Sequence, residues 1–309
     1  MAGDLKRLET EFKRSLMADR RDAGEPMRAL FRAGGKRLRP ALVLLFANLG
    51  PYAYARAKHG AMAVEFMHAS TLIHDDVIDR SPLRRGLPTI AAAKGPEAAI
   101  LIGDYYFAKA YREAVAAGHP QVVAELADAV MQVCRGELEA LADVRKYQRS
   151  LFRYEQHVDR KTGALMAAAC RIGALIGSTD VEAAGRYGML LGRAFQMVDD
   201  VLDYTGASHE LGKPAGHDLR EGSVTLPLLV AFETHRERLG ALLKDGEPAD
   251  EGTVAAVVEI VRESGAPEQA LGAARKTAAA AVEALAPLPA GEARRTLETL
   301  ATYVVDRKL

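Results

Sequence analysis

Apolar side chains recur every three to four residues along most of this chain, with polar side chains between them. That spacing places the apolar positions on one face of an α-helix, and no long stretch alternates with the period of two that a half-buried strand would show. Clusters of Gly and Pro mark the turns between helices. The clearest predicted helices cover residues 56–76, 96–117, 121–142, 163–178, 181–204 and 254–264. The clearest breaks cover residues 80–88, 118–120, 206–222, 244–252 and 287–291.

This pattern predicts an all-α fold, a single large bundle of about ten or more helices. None of the breaks is long enough, or simple enough in composition, to be a linker between domains. Residues 1–309 are therefore predicted to form one domain, although the length alone also permits two. The segment beyond about residue 234 is rich in alanine, carries no recognisable motif and is predicted to be scaffold.

Composition narrows the class of partner. The chain has 41 Lys and Arg against 41 Asp and Glu, so its formal net charge is zero, and 49% of its residues are hydrophobic. A disordered chain is excluded, and the zero balance predicts no nucleic-acid partner, because polyanion binding needs a positive excess. The longest apolar run, residues 41–49, is too short to cross a bilayer, and the charged, amphipathic N-terminal segment is unlike a signal peptide.

The two cysteines, Cys134 and Cys170, are far apart in the chain and form no CxxC pattern. A disulfide framework and a zinc site are both disfavoured, so we expect two buried, reduced thiols. This usage indicates a reducing compartment and predicts a cytoplasmic protein.

Two aspartate clusters carry the strongest chemical signal. Both have the pattern DDxxD, and both lie at the end of an apolar helical segment. The clusters are Asp75, Asp76 and Asp79, and Asp199, Asp200 and Asp203. On a helix the first and third carboxylates share a face, where like charges destabilise the helix unless a cation binds them. A single cluster of this kind is as often a solvated acidic face, but two in one chain are rarely a coincidence.

Carboxylate ligands without Cys or His spacing favour a hard ion. Mg²⁺ commonly uses one or two carboxylates and completes its coordination with water and substrate phosphates. The sequence therefore predicts a magnesium site that also involves a phosphorylated substrate.

Basic residues beside glycine lie at or near predicted loops. These segments are Gly-Gly-Lys-Arg-Leu-Arg-Pro at 34–40, Arg84-Arg85-Gly86, Lys161-Thr162-Gly163 and Gly212-Lys213-Pro214. Arg and Lys near helix ends suit phosphate oxygens, although each segment alone would more often be a solvated patch. The usual nucleotide and hydrolase motifs (GxGxxG after a strand, Walker A, GxSxG, HExxH) are absent from the sequence. Acidic metal ligands and basic phosphate binders together predict a metal–diphosphate substrate.

The order and spacing of these motifs resemble those of the trans-isoprenyl diphosphate synthase (polyprenyl synthetase) family. The resemblance runs over residues 34–227 and is carried by GGKRLRP, EFMHASTLIHDDVID, LRRGLPT, KTG, FQMVDDVLDYTG and GKPAGHDL. It implies an all-α bundle around a deep central cavity, assembled as a homodimer. It also implies a prenyltransferase that condenses isopentenyl diphosphate head to tail (1'-4) with an allylic diphosphate.

The resemblance also implies roles for individual residues. The six clustered aspartates would bind as many as about three Mg²⁺ ions together with the allylic diphosphate. Arg84, Lys161 and Lys213 would contact that diphosphate, with Thr162 and Gln196 beside the developing carbocation. Lys36, Arg39, His68 and Arg85 would bind isopentenyl diphosphate. His68 alone would more often be a core histidine, and Gln196 an ordinary helix residue.

Product length should depend on the helix that carries the first cluster. Ser70 and Thr71 are small where short-chain relatives tend to have aromatics, and Met67 is flexible. The segments GDYYFAKA, DDVLDYTG and VVDRKL resemble those of long-chain bacterial synthases that make quinone side chains. We therefore expect a product of about 30 to 50 carbons. Each helical turn without a bulky side chain would lengthen the pocket by about one isoprene unit. Geranylgeranyl diphosphate (C20) is the alternative product. One of the aromatic residues Tyr105, Tyr106 and Phe107 could instead close the cavity, or these residues could simply belong to the core. A long product also implies transient membrane contact at release.

Other functional classes remain open from the residues. The chain could be the catalytic subunit of a heterodimeric synthase that needs a small partner. A terpene cyclase or a non-catalytic subunit is less favoured, because the basic motifs and both aspartate clusters are intact. Two departures from the family pattern are Gly163, where many relatives have Ala, and Leu87, where a basic residue is common.

Overall fold

A computed structural model describes residues 2–147, 150–206 and 215–306 of the chain. Nearly all of its regular structure is helical, so the all-α prediction is confirmed, and each of the six clearest predicted helices is present with ends shifted by three residues or fewer. The helices are α1 (Ala2–Ala18), α2 (Arg21–Arg32), α3 (Leu38–Ala47), α4 (Tyr54–Ile78), α5 (Ile90–Lys94), α6 (Pro96–Ala116), α7 (Pro120–Asp143), α8 (Leu151–Val158), α9 (Ala164–Gly177), α10 (Val181–Thr205), α11 (His217–Arg220), α12 (Leu226–Leu242), α13 (Glu251–Glu263), α14 (Ala266–Ala284) and α15 (Glu292–Asp306).

Two short elements interrupt this pattern. A two-stranded antiparallel hairpin, β1 (Leu83–Arg84) and β2 (Leu87–Pro88), follows α4. A π-helical turn, Asp159–Gly163, joins α8 to α9 without a break in the helix. Both elements carry residues of the predicted site.

Backbone contacts divide the chain into two compact units. Unit 1 comprises residues 1–128, 168–185 and 287–296, and unit 2 comprises residues 129–167, 186–286 and 297–309. The first aspartate cluster belongs to unit 1 and the second to unit 2. The single-domain assignment remains a prediction.

The core of unit 1 forms around α4, which packs against α3 and α6. The approach to α6 is close at Gly103, where a Cβ atom would overlap the ring of His74. Helix α1 buries one apolar residue per turn, Leu8, Phe12 and Leu16. The Phe12 ring lies 5.2 Å from Phe31 and 5.4 Å from Phe66, so aromatic packing joins α1 and α2 to α4.

The core of unit 2 includes the alanine-rich last third of the chain. Helix α12 packs against α13 and α14. The alanines that α14 buries at helical spacing are Ala270, Ala274, Ala278 and Ala281. Their small side chains let helices approach closely, which fits the scaffold role predicted for this segment.

Two further sequence-based expectations can be compared with the structure. Cys170 is buried as predicted. Cys134 is exposed, which contradicts the prediction: it lies on the solvent-facing side of α7, whereas the preceding residue, Val133, faces the core. Within the described ranges, no helix combines the length and the apolar character that a membrane crossing requires.

Candidate functional site

The first aspartate cluster ends α4. The backbone N–H of Asp79 donates to the carbonyl of Asp75 at 2.8 Å, so helical geometry continues through the cluster and the two outer carboxylates are one turn apart. Asp75 is half-buried and Asp79 is exposed, whereas Asp76 is 5% exposed. The three aspartates therefore differ in environment, although their residue type is the same.

Arg84 binds the buried Asp76 through two nitrogens. The Nε of Arg84 lies 2.9 and 3.0 Å from the two carboxylate oxygens of Asp76, and its Nη2 lies 2.8 Å from Oδ1. A fork of this kind is a strong charge-assisted contact. Asp76 therefore orients Arg84, and the two outer aspartates are the more accessible carboxylates of this cluster.

The hairpin after α4 positions the two arginines. Leu83 pairs with Pro88 and Arg84 pairs with Leu87, which leaves a two-residue turn of Arg85 and Gly86. Both turn residues have positive φ, +52° and +76°, as a type I′ hairpin turn requires. The predicted loop is thus a tight turn that returns Arg84 to α4 and leaves Arg85 exposed.

A basic cluster surrounds one buried carboxylate at the start of α3. Arg37 has a left-handed backbone (φ +47°), and its guanidinium binds Glu65 of α4 at 2.7 Å and Glu9 of α1 at 2.8 Å. Arg39 has a buried Nε without a hydrogen-bond partner in the described part of the chain. Burial lowers the pKa of Arg39 to about 10, while the charge of Glu65 opposes that shift. Arg39 therefore offers a buried, unsatisfied donor, which suits an anionic ligand.

His68 belongs to the same basic cluster. Burial, followed by the charges of Arg39, Arg85 and Arg84, lowers the pKa of His68 well below its ordinary value. The imidazole is therefore neutral at pH 7 and can donate one hydrogen bond and accept another. Lys36 is exposed at the edge of this segment. The structure thus brings Arg39, His68 and Arg85 into one electrostatic environment, as the sequence predicts.

The second aspartate cluster lies near the end of α10. Asp199 is half-buried, but Asp200 is only 2% exposed. Tyr154 donates to Asp200 Oδ2 at 2.6 Å, and Gln196 donates to Oδ1 at 2.9 Å. Burial and the charge of Asp218 raise the pKa of Asp200 to about 7.

Asp203 is also held by the protein. Its two carboxylate oxygens accept the backbone N–H groups of His217 at 3.1 Å and Asp218 at 3.2 Å, at the start of α11. Burial, and then the charge of Asp218, raise the pKa of Asp203 to about 6. The three carboxylates of this cluster therefore differ in environment, and Asp200 is the most deeply buried of them.

The Lys-Thr-Gly segment lies in the π-helical turn, not at a loop as its composition suggested. Lys161 Nζ lies 3.0 Å from Glu137 Oε1 of α7, and Thr162 donates to Gln196 Oε1 at 2.9 Å. π-helical turns often accompany functional sites because they redirect side chains within a helix. At Gly163, where many relatives have Ala, a Cβ atom would meet the sulfur of Met189. The position of Met189 therefore accounts for glycine at this site. Lys213 lies outside the described residues.

The three residues assigned to product length differ in orientation. Met67 is fully buried on α4. Ser70 is also fully buried, and its hydroxyl donates to the carbonyl of Gly103 on α6 at 2.8 Å. Thr71 is half-buried one turn before Asp75, and its hydroxyl donates to the carbonyl of His68 at 2.9 Å. Ser70 therefore faces α6, whereas Thr71 shares the helical face of Asp75.

The tyrosines of α6 are held by an N-terminal aspartate. Tyr105 and Tyr106 both donate to the carboxylate of Asp19 at 2.8 Å, and Lys109 forms an ion pair with the same carboxylate. Tyr106 is fully buried against Phe66, while Tyr105 is 44% exposed. For Tyr106 these contacts favour the core alternative over the cavity-closing one.

The donor set fits a hard divalent cation. The more exposed carboxylates of the two clusters offer only oxygen atoms: Asp75 and Asp199 are half-buried, and Asp79 is exposed. In the described residues no group of three or more His, Cys, Asp or Glu side chains converges on one point. Carboxylate oxygens are the ligand type that Mg²⁺ prefers, and this ion completes its coordination with substrate oxygens and water more often than with a cage of protein ligands.

Three residues of these clusters were not among the sequence-based predictions. Arg37 and Glu65 form the ion pair beside Arg39, and Tyr154 binds Asp200. Arg37 lies inside the basic segment 34–40, and Glu65 begins the segment EFMHASTLIHDDVID. Their places within two of the family motifs could therefore have identified them as site residues. Tyr154 gave no such signal, because its contact joins α8 to α10 across 46 positions of sequence.

Comparison with known proteins finds one family. The model of the polyprenyl synthetase family matches residues 21–261. The heptaprenyl diphosphate synthase component 2 of Geobacillus stearothermophilus is 38% identical over 310 residues, covering 99% of this chain and 97% of that protein. The nonaprenyl diphosphate synthase of Mycobacterium tuberculosis is 40% identical over 285 residues, covering 90% and 84%.

A solved structure is also similar over the whole chain. The polyprenyl synthase of Caulobacter crescentus, complexed with calcium and isoprenyl diphosphate, superposes with a TM-score of 0.93 at 34% identity. The match covers 100% of this chain and 96% of that one.

Proposed function

The chain belongs to the polyprenyl synthetase family and is a prenyltransferase, a trans-polyprenyl diphosphate synthase, and from this premise we propose that it makes a long-chain product with the help of Mg²⁺. The reaction is the head-to-tail (1'-4) condensation of isopentenyl diphosphate with an allylic diphosphate. The observation that carries this assignment is the pair of DDxxD clusters, each with one buried carboxylate that side chains hold and others that are more exposed.

Asp75, Asp79 and Asp199 are the proposed metal ligands. Mg²⁺ bound there with substrate oxygens would neutralise the charge that develops on the departing diphosphate. The crystallised relative that contains calcium and isoprenyl diphosphate supports a divalent cation beside this class of substrate. Asp76, Asp200 and Asp203 would act by orienting Arg84, Gln196 and the start of α11, respectively.

The basic residues divide between the two substrates. Arg84, fixed by Asp76, and Lys161 would bind the allylic diphosphate, and Lys213 would join them. Lys36, Arg39, His68 and Arg85 would bind isopentenyl diphosphate, where the buried Nε of Arg39 gains the partner that it lacks. Thr162 and Gln196 would direct oxygen atoms toward the allylic carbocation, which a dry cavity protects from water. No side chain is assigned as the base, and the proton leaves to the released diphosphate.

A product of about 30 to 50 carbons is supported by the lengths in the relatives' names and by the small or flexible residues along α4. Thr71 and Met67 are the proposed length-determining residues of that helix, with Ser70 turned toward α6. Geranylgeranyl diphosphate is the alternative product.

A single assay tests the proposed function. The purified chain is incubated with labelled isopentenyl diphosphate, Mg²⁺ and primers of 10, 15 or 20 carbons, and the products are sized by chromatography. We expect elongation that EDTA abolishes and excess Mg²⁺ restores. A product that stops at C20 contradicts the long-chain assignment, and no elongation of any primer contradicts a self-sufficient enzyme.

A second candidate is a catalytic component that needs a small partner. Two relatives, from Geobacillus stearothermophilus and Bacillus subtilis, are named component 2 of heptaprenyl diphosphate synthase. Under this alternative the chain alone is inactive, and activity appears when it is co-expressed with a protein from its own genomic neighbourhood. Full activity of the purified chain contradicts it.

A further inference from the structure

Tyr154 of α8 begins a chain of side-chain hydrogen bonds that ends at Thr162. Its hydroxyl donates to Asp200 Oδ2 at 2.6 Å. The other carboxylate oxygen, Oδ1, accepts from Gln196 Nε2 at 2.9 Å. Gln196 Oε1 in turn accepts from the Thr162 hydroxyl at 2.9 Å. Four side chains from α8, the π-helical turn and α10 are thus connected in series.

Three of the four side chains in this series are buried, and Gln196 is half-buried. Tyr154 is 3% exposed, Asp200 is 2% exposed and Thr162 is 7% exposed. Polar groups in such surroundings keep their partners, because water is not present to replace them. Asp200 Oδ2 also lies near the backbone N–H of Leu226, but at the long distance of 3.5 Å. The tyrosine hydroxyl is therefore the main constraint on that oxygen.

The series has a direction. Gln196 Nε2 donates to Asp200 Oδ1 and Gln196 Oε1 accepts from Thr162, so the amide turns its NH₂ group toward Asp200 and its oxygen toward Thr162. The Thr162 hydroxyl then donates its single hydrogen to Gln196, and the lone pairs of its oxygen point elsewhere. An oxygen with a committed hydrogen presents the negative end of its dipole, which stabilises nearby positive charge.

We propose that Tyr154 is a positioning residue for prenyl transfer. Its hydroxyl holds Asp200, so that the Gln196 oxygen stays on the Thr162 hydroxyl and the Thr162 oxygen stays directed toward the developing carbocation. Tyr154 touches neither substrate in this scheme and acts only through Asp200. The inference rests on the function proposed above, in which Thr162 and Gln196 lie beside the reacting allylic carbon.

Tyr187 offers a matched control within the same unit. It is fully buried on α10, and its hydroxyl donates at 2.7 Å to a backbone carbonyl, that of Leu297. Tyr154→Phe and Tyr187→Phe therefore each remove one buried hydroxyl of similar geometry. Among the hydrogen bonds described here, those of Tyr154 lead to Thr162, whereas that of Tyr187 leads to the backbone of α15.

The test is steady-state kinetics of both variants in the full-length enzyme. Tyr154→Phe should lower kcat by about 10-fold or more, because a preorganised dipole is lost in the transition state. The KM values of both substrates and the half-saturating Mg²⁺ concentration should stay within about twofold, since no ligand contact is removed. Tyr187→Phe should leave kcat unchanged.

A double-mutant cycle with Thr162→Val adds a measurement that a merely structural role would not alter. If Tyr154 acts through Thr162, Tyr154→Phe should change kcat by less than about twofold in the Thr162→Val background. If the fold losses in kcat of the two single variants multiply in the double variant, the residues act independently and the proposal is overturned. An unchanged kcat in Tyr154→Phe, or an equal loss in Tyr187→Phe, also overturns it.

Replacement of Tyr154 by 3-fluorotyrosine covers the case in which Tyr154→Phe does not fold. This residue keeps the packing and strengthens the hydroxyl as a donor, so kcat should change, while the same replacement at Tyr187 should have no effect. Equal rates in both fluorinated enzymes overturn the proposal. The wild-type enzyme distinguishes failure of the proposed function from failure of this inference. If the wild type elongates no primer, the proposed function is contradicted. If the wild type is active and Tyr154→Phe has the same kcat, only the inference about Tyr154 is contradicted.

Discussion

At the scale of single residues, the basic cluster of unit 1 depends on one buried carboxylate. Glu65 is 6% exposed and lies 2.7 Å from the guanidinium of Arg37, and its charge also acts on Arg39. Burial raises the pKa of Glu65, while Arg37 and Arg39 lower it. Since removal of one partner leaves the other as an uncompensated buried charge, this residue has a measurable structural role.

Glu65→Gln should lower the free energy of unfolding by about 3 kcal/mol, because it removes the buried charge that compensates Arg37 and Arg39. Urea unfolding followed by circular dichroism measures the change. The matched control is Glu25→Gln, which removes an exposed carboxylate 3.4 Å from Arg21 and should have little effect. Equal stability of the wild type and Glu65→Gln would show that Glu65 does not compensate this cluster.

Asp200 should make the stability of the metal-free enzyme depend on pH. Its folded pKa of about 7 lies above the ordinary value of 3.8, so the native state holds a proton that the unfolded chain releases. This contribution is complete below about pH 4, and it is lost as the pH rises toward 7. We therefore expect urea unfolding in EDTA to show lower stability at pH 8 than at pH 5.

Asp200→Asn is the variant that isolates this effect. The amide imitates the protonated acid at every pH, so the difference in stability between pH 5 and pH 8 should become smaller than in the wild type. An unchanged pH dependence would mean that another group controls it.

At the scale of elements, the hairpin and the π-helical turn position the basic residues. The hairpin does so by a tight turn at Arg85 and Gly86, and the π-helical turn does so by close packing on α10. A Cβ atom on Gly192 of α10 would lie 2.8 Å from the Cα of Gly163. At Gly163 itself the obstacle is only the flexible thioether of Met189.

Gly192→Ala should therefore destabilise the protein by about 1–3 kcal/mol and lower kcat, because backbone must move away and displace Lys161 and Thr162. Gly163→Ala should stay within about 1 kcal/mol of the wild type, because Met189 can rotate and alanine favours the helix. Thermal unfolding and initial rates of the two variants test the contrast. The reverse order of stability would refute this account of the packing.

Helix α4 should set the product length by its turns. Thr71 lies one turn and Met67 two turns before Asp75, and a turn of about 5.4 Å is similar to one isoprene unit. Met67→Phe should shorten the product, and Thr71→Phe should shorten it further. Chromatographic sizing measures both, with Met67→Leu as a control that keeps the side-chain volume nearly unchanged. An unchanged product in Met67→Phe would exclude that residue from length control.

At the scale of the whole molecule, apolar side chains on the surface support the proposed homodimer. On α6, Leu101 is 69% exposed and Tyr105, one turn later, is 44% exposed. Apolar residues that are neighbours on one helix face commonly mark an interface with another protein, which in the homodimer implied by the family resemblance would be a second copy of the chain.

Leu101→Glu should convert the proposed dimer to a monomer, because it places a charge at the centre of this apolar face. Light scattering after size-exclusion chromatography measures the mass in solution. Tyr303→Glu, which changes a side chain that is 58% exposed on α15, is the control and should remain dimeric. A wild type that is monomeric at micromolar concentration would contradict the homodimer itself.

Much of this protein follows from its sequence alone. The helical period predicts the all-α fold and most helix boundaries, because apolar spacing is a local property of the chain. The two DDxxD clusters and the basic segments likewise identify the family, since their residue types and order are read directly. The roles of Lys36, Lys161 and Lys213 rest on that resemblance.

Only the tertiary structure decided how residues of the same type differ. Asp76 and Asp200 are buried and held by Arg84 and Tyr154, whereas Asp75 is more accessible, although all three belong to one motif pattern. Burial and pairing depend on side chains that arrive from other elements, and a local pattern contains no information about them. For the same reason the tertiary structure alone revealed the contact of Tyr154, the π-helical position of Thr162 and the exposure of Cys134.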